Sequence, residues 1–136
     1  MRFAICILIL TFAHAAAGEL PRWPAVADEE TIHVLTRNED GTAKQTIIWL
    51  VVVDGQGYIR SRGTSWRANM LRNPNIALRI AGAEYAVQTV AVQDEAHFDR
   101  VNEAFTGKYG VGPHVFLAMM RPFLGGWNIY RVIDRD

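Results

Sequence analysis

The sequence predicts a small, mainly β domain of the α+β class: six antiparallel strands forming a barrel, with a short helix after the third strand and a longer one before the last. Three observations carry this. Short runs with two-residue alternation or dense β-branched residues recur between turn signals along residues 31–93, and again at 127–133. Only one stretch, 94–110, shows a strong three- and four-residue apolar period. No strand–helix–strand rhythm persists, which disfavours a parallel α/β sheet.

The elements follow in order. Residues 18–30 (GELPRWPAVADEE) combine prolines with acids and read as an extended lead-in. Residues 31–36 (TIHVLT) alternate apolar and polar side chains, as a half-buried strand does. Asp40-Gly41 marks the turn after it. Residues 45–53 (QTIIWLVVV) are dense in apolar and β-branched residues and read as a central strand. Asp54-Gly55 is a second tight turn and 56–61 (QGYIRS) a third strand, so the first three strands read as a meander. Residues 66–72 (WRANMLR) predict a short helix with Thr64 or Ser65 as N-cap, stopped by Asn73-Pro74. Residues 75–80 (NIALRI) and 84–93 (EYAVQTVAVQ) are the fourth and fifth strands, joined through Ala81-Gly82-Ala83. Asp94 caps the longer helix; Phe98, Val101, Phe105 and Tyr109 give it one apolar face, and Gly110 ends it. Residues 111–126 carry Gly112-Pro113, Pro122 and Gly125-Gly126 around a short apolar run, which fits a broken helix or a covering loop. Residues 127–133 (WNIYRVI) are the sixth strand.

The first 17 residues read as a cleavable signal peptide. Arg2 is basic, residues 3–12 (FAICILILTF) are apolar, and 13–18 (AHAAAG) are small with overlapping A-x-A patterns. The apolar run is shorter than the roughly 20 residues a membrane span needs. Cleavage after Ala17 would leave the lead-in and a domain at 31–136, periplasmic or secreted and without a membrane span. It would also remove Cys6, the only cysteine, and with it any disulfide, thiolate nucleophile or cysteine-ligated metal. The full chain has 14 basic and 14 acidic residues, so nothing in its charge suggests nucleic acid.

The stretch that carries chemistry is 60–69 (RSRGTSWRAN), where a strand runs through a loop into a helix. A helix start leaves backbone N–H groups unpaired and carries partial positive charge. Ser61, Thr64 and Ser65 offer hydroxyls, Arg60, Arg62 and Arg67 offer charge-assisted donors, and Gly63 lets the backbone approach a ligand. Together these would hold a phosphate. The other reading is that Ser65 only caps a helix and the arginines are solvated.

The pieces LTRNEDG, IIWLVVVDGQGYIRS, SRGTSWRANMLRNPNIALRI and FTGKYG, in this order, resemble the split-barrel flavin-binding superfamily, which includes pyridoxamine 5'-phosphate oxidases and deazaflavin-dependent nitroreductases. Residues 61–74 are the most specific piece. The resemblance implies a six-stranded split barrel, usually a homodimer with cofactor sites at its interface, and an oxidoreductase using FMN or a deazaflavin on a small molecule. It implies that Arg60, Ser61, Arg62, Gly63, Thr64 and Ser65 hold the cofactor phosphate beside Trp66. Ile48 and Trp49 would lie along the ring system, and Arg37 and Lys44 flank the first turn, where deazaflavin relatives place basic groups. An envelope binding module that keeps the barrel without the cofactor is the alternative.

Other chemistries find less support. His33, His97 and His114 show no ligand spacing and no H-E-x-x-H pattern, although a haem needs only one or two axial ligands. No G-x-S-x-G elbow is present. Taken singly, Trp49, Trp66 and Trp127 fit a core or a dimer interface, Met119-Met120 a core, and Lys108-Tyr109 a helix end that complements the dipole.

Overall fold

The computed structural model describes residues 20–62, 65–110 and 127–135. Its strands are β1 Ile32–Arg37, β2 Ala43–Ile48, β3 Leu50–Val53, β4 Gln56–Ser61, β5 Ile76–Ile80, β6 Ala83–Ala91 and β7 Asn128–Asp134. Helices α1 Trp23–Val26, α2 Ser65–Arg72 and α3 Glu95–Tyr109 accompany them. All seven strands join one antiparallel sheet in the order β2-β1-β5-β6-β7-β4-β3. The predicted class, an antiparallel curled barrel of the α+β type, is the observed one.

The expected central strand at 45–53 is instead two strands, and they are the two edges of the sheet. The chain runs from β2 into β3 through Trp49 alone. The first half pairs with β1, ending at Ile32↔Ile48, and the second half pairs with β4, starting at Leu50↔Ile59. One segment therefore serves as both edges, and the sheet curls until its ends are covalently continuous. The seventh strand arises from this division, and the expected meander is opened by it. Two-residue turns close the β3–β4 and β5–β6 hairpins. Asp54 and Gly55 both take positive φ, 51° and 73°, as do Ala81 and Gly82 at 49° and 82°, the twist that suits a right-handed hairpin.

Side-chain alternation sorts the core into two sides. Inside the curl pack Ile32, Val34, Leu78, Ile80, Val87 and Tyr130, closed by Trp66 and Met70 of α2. On the other side, Val51, Tyr58 and Ile129 pack against Val101 and Phe105 of α3. The predicted apolar face of α3 is thus the one it buries. Asp94 caps it, its Oδ2 accepting from the His97 N–H at 2.9 Å, and Gly110 ends it with φ 92°.

The segment expected to be an extended lead-in holds the single turn α1, and its Trp23 and Val26 belong to the core. Trp23 lies over Gly57, where an added Cβ would come within 2.4 Å of the indole. Ser65, one of the two expected caps, is instead the first residue of α2. Thr64, the signal segment 1–17 and residues 111–126 lie outside the described residues. Among the described residues, no helix is long and apolar enough to cross a membrane.

Candidate functional site in the barrel split

The β3–β4 ladder stops at Leu50↔Ile59. Beyond it the chain passes Trp49 and turns away to pair with β1, while β4 continues along β7 through Arg60↔Ile129 and Ser61↔Asn128. The two strands diverge, and a cavity of about 300 Å³ occupies the split. Thr46, Ile47, Ile48 and Trp49 form one wall; Arg60, Ser61 and Arg62 form the other. Trp66 from α2 and Trp127, just before β7, close it.

Alternation along β4 aims these side chains. Ile59 faces the inside of the barrel, and Tyr58 packs on the α3 side. Arg60 shares the side of Tyr58 and is only 4% exposed. Its Nη1 donates to Asn102 Oδ1 at 2.9 Å, and its guanidinium lies 4.4 Å from the Phe105 ring centroid and 4.1 Å from that of Trp127. Burial, with the Arg62 charge second, pulls Arg60 down to about 10. The Arg62 guanidinium also lies over Trp127, at 4.4 Å.

The polar inventory of the walls is incomplete. Thr46 Oγ1, Ser61 Oγ, and Arg62 Nε and Nη1 are buried without a hydrogen-bond partner among the described residues. Neither ion pair found among the described residues, Arg79–Glu84 or Arg100–Asp54, involves Arg62. Buried donors left unmade cost about 1–3 kcal/mol each, so a cluster of them in one cavity wall calls for an acceptor. Three indoles supply flat apolar surface beside them.

Trp49 is braced from behind. Tyr109 stacks on it with ring centroids 4.2 Å apart and planes 4° off parallel. The Tyr109 hydroxyl donates to Glu30 O and Leu50 O, at 2.8 and 3.0 Å, and accepts from the Leu50 N–H at 3.1 Å. Lys108 Nζ donates to Glu29 O and Leu50 O. The pair expected to serve the helix dipole therefore ties α3 to the kink between β2 and β3.

Of the residues singled out from sequence, the cavity gathers Ile48, Trp49, Arg60, Ser61, Arg62 and Trp66. Gly63 and Thr64 lie outside the described residues. Ser65 is exposed and borders a separate opening with Asp40, Asn69 and Arg72. Lys44 sits opposite Thr36 on β1 and lines a broad groove of about 970 Å³ with Arg37, Arg79 and Arg135. That groove is the larger opening. The split is the better candidate because its aromatic walls converge with polar atoms that have no partner among the described residues. Sequence reasoning missed Thr46, Asn102 and the bracing role of Tyr109, and it set Trp127 aside as packing. The alternation of Thr46 with Ile48 on β2 was a usable signal; nothing local pointed to Asn102. His97 does not reach this cavity wall, and its Nε2 lies 2.9 Å from the Tyr58 hydroxyl.

Solved structures share this architecture at low sequence identity. A conserved hypothetical protein, Rv2991 from Mycobacterium tuberculosis, superposes with TM-score 0.63 at 16% identity, over 92% of this chain and 87% of that one. HutZ from Vibrio cholerae, described as a heme storage protein, gives 0.63 at 11%, over 83% and 87%. An FAD-binding protein from Mesorhizobium loti gives 0.52 at 12%, over 84% and 88%. Two other matching structures are longer, and the chain spans only 48% and 58% of them. The split-barrel fold implied by the sequence resemblance is therefore the fold observed. None of the curated proteins matches the sequence. Residues 23–123 match the family model described as "Uncharacterized protein conserved in bacteria (DUF2255)", and the chain belongs to that family.

Proposed function

We propose that the split binds a phosphorylated, flavin-type cofactor, FMN or a deazaflavin, for a redox reaction on a small molecule. The observation that carries this reading is the convergence in one cavity of three indoles with Ser61, Thr46 and Arg62 polar atoms that have no partner among the described residues. Arg62 and Ser61 would bond the phosphate, and Ile48 and Trp49 would lie along the rings. About 300 Å³ is at the small end of ligand sites, which suits a mononucleotide-sized group. The FAD-binding relative of the same fold adds support. When bound, such a cofactor supplies hydride or electron transfer, and the protein supplies binding, orientation and electrostatics.

Among its described residues the cavity wall holds no His, Asp or Glu. The second reading is a non-catalytic module that binds a similar molecule without turning it over, since such a wall supplies binding groups but no acid or base of its own. One experiment addresses both. The purified protein is titrated with FMN, riboflavin, a deazaflavin and haem, and visible spectra are recorded. FMN binding well above riboflavin binding supports the phosphate site, and reduction of bound FMN by a small-molecule donor separates enzyme from module. A protein that stays colourless at tens of micromolar FMN or deazaflavin overturns the flavin reading, and haem binding alone replaces it. Charge reversal by Arg62→Glu is expected to abolish the phosphate-dependent part; unchanged affinity refutes that assignment.

Export to the periplasm or beyond, after cleavage following Ala17, belongs to the same proposal and rests on residues 1–18. N-terminal sequencing of protein recovered from the cell envelope tests it; an intact Met1 overturns it. A homodimer is proposed with it, from the resemblance, and sedimentation analysis of the purified protein checks this.

A further inference from the structure

Trp49 stands between two ladders and belongs to neither: the β1–β2 pairing ends at Ile48, and the β3–β4 pairing begins at Leu50. Within a strand, the pleat aims each side chain. At this corner the aim comes from α3. The Tyr109 ring lies on the indole with centroids 4.2 Å apart and planes 4° off parallel. Tyr109 is fixed in turn. Its ring packs on Phe105, centroids 6.2 Å apart. Its hydroxyl accepts from the Leu50 N–H and donates to Glu30 O and Leu50 O, and Lys108 adds a second tie to Leu50 O.

Trp49 lines the cavity and Tyr109 does not. Tyr109 covers one face of the indole, so the indole surface that reaches the cavity is what Tyr109 leaves open. Ser61 and Arg62, which offer hydrogen bonds to an anion, stand on the opposite wall, at the end of β4 and just after it. The split thus has two halves held by different parts of the chain, charge beside β4 and flat aromatic surface at the corner.

We propose that Tyr109 is a positioning residue for ring recognition: it holds the Trp49 indole in one orientation, so that a flat heteroaromatic ring lies against it while the anion is bound independently across the cavity. The ligand class this fits is a planar heterocycle joined to an anionic group. This inference rests on the reading of the split as a cofactor site.

The test uses the full-length protein, its Tyr109→Phe and Tyr109→Leu variants, and three probes: riboflavin for the ring, inorganic phosphate for the anion and FMN for both. Quenching of flavin emission reads the ring, calorimetry reads phosphate, and thermal melting runs alongside. Phenylalanine keeps the stack and drops the hydroxyl; leucine drops both. Tyr109→Phe is expected to melt lower, yet to bind riboflavin and FMN as the wild type does. Tyr109→Leu is expected to melt lower too, to bind both flavins about tenfold more weakly, and to bind phosphate unchanged. Riboflavin affinity that falls alike in both variants, in step with melting temperature, would show a merely structural residue and overturn the proposal. A Tyr109→Leu protein that binds riboflavin as the wild type does, or that loses phosphate and riboflavin together, overturns it as well. A wild-type protein that binds neither flavin overturns the cofactor-site reading itself, and the wild-type titration tells the two failures apart.

Discussion

Replacing Arg62 by methionine is expected to stabilise the ligand-free protein and disable the site at once. Among the described residues, two of its buried N–H groups, Nε and Nη1, have no acceptor. Each unsatisfied donor costs about 1–3 kcal/mol, and Arg62 has two. Against this stands its contact with Trp127, 4.4 Å from guanidinium carbon to ring centroid, worth about 1–2 kcal/mol when desolvated. Methionine retains an unbranched stem and a sulfur–aromatic contact worth about 0.3–1.5 kcal/mol. Even at the low end of the donor cost the balance favours the variant by about 1 kcal/mol, or about 4 °C in melting temperature for a domain of this size. Binding moves the other way. A phosphate loses two charge-assisted hydrogen bonds of about 1.5–3 kcal/mol each, at least a 100-fold loss of affinity. The assay is a pair of melts by circular dichroism, with and without phosphate, plus titrations with FMN and riboflavin. The expected signature is a higher melting temperature that phosphate no longer raises. A variant that melts several degrees below the wild type and keeps its FMN affinity refutes the reasoning, because Arg62 would then be a structural cation with partners of its own.

The remaining predictions concern the frame around the split. Gly57→Ala places a Cβ 2.4 Å from the Trp23 ring and is expected to cost about 3 kcal/mol in urea unfolding; Trp23→Leu in the same chain should restore part of it. Asn69 is buried, donates to Thr36 Oγ1 and Asn38 Oδ1, and accepts from Arg72 Nη2; Asn69→Ala is expected to cost about 2–3 kcal/mol, measured the same way. Tyr109→Phe strips the hydroxyl from the Leu50 and Glu30 backbone and is expected to cost about 1–3 kcal/mol. Burial, its largest cause, raises the Tyr109 hydroxyl above 10.0 in the folded chain, so the unfolded chain ionises first. The contribution of Tyr109 is therefore complete below about pH 10 and is lost as the pH rises through the folded value. Urea melts between pH 8 and 11 should show a shallower alkaline decline in the variant than in the wild type; equal slopes refute this account of Tyr109.

How much of this was legible follows from where each contact comes from in the chain. The strand β4 and the helix α3 were readable because their signals are local: a two-residue turn at Asp54-Gly55, an Asp94 cap, and an apolar period ending at Gly110. The division of residues 45–53 was not. That run contains no glycine or proline, and nothing in its composition distinguishes Ile48 from Leu50. Trp49 becomes the corner only because β1 and β4 claim the two halves, and in the sheet they are separated by β5, β6 and β7. The site divides in the same way. Its charges and hydroxyls lie within Arg60, Ser61 and Arg62 and could be found by eye. The side chains that meet them come from elsewhere: Asn102, 42 residues from Arg60, and Trp127, which β7 delivers beside β4; Tyr109, 59 residues from Leu50, braces the opposite wall. Lys44 shows the converse error: it is close in sequence to Thr46 and Ile48, yet pairing with β1 carries it past the split into another groove. Relatives at 11–16% identity keep the barrel, because alternating apolar residues and tight turns suffice for it. The brace on Trp49 needs one aromatic ring on the last turn of α3, and a fold match does not require that residue to be kept. Ligand preference within this fold is therefore expected to change at α3 and at the residues before β7, even where the arginine-bearing strand end is retained.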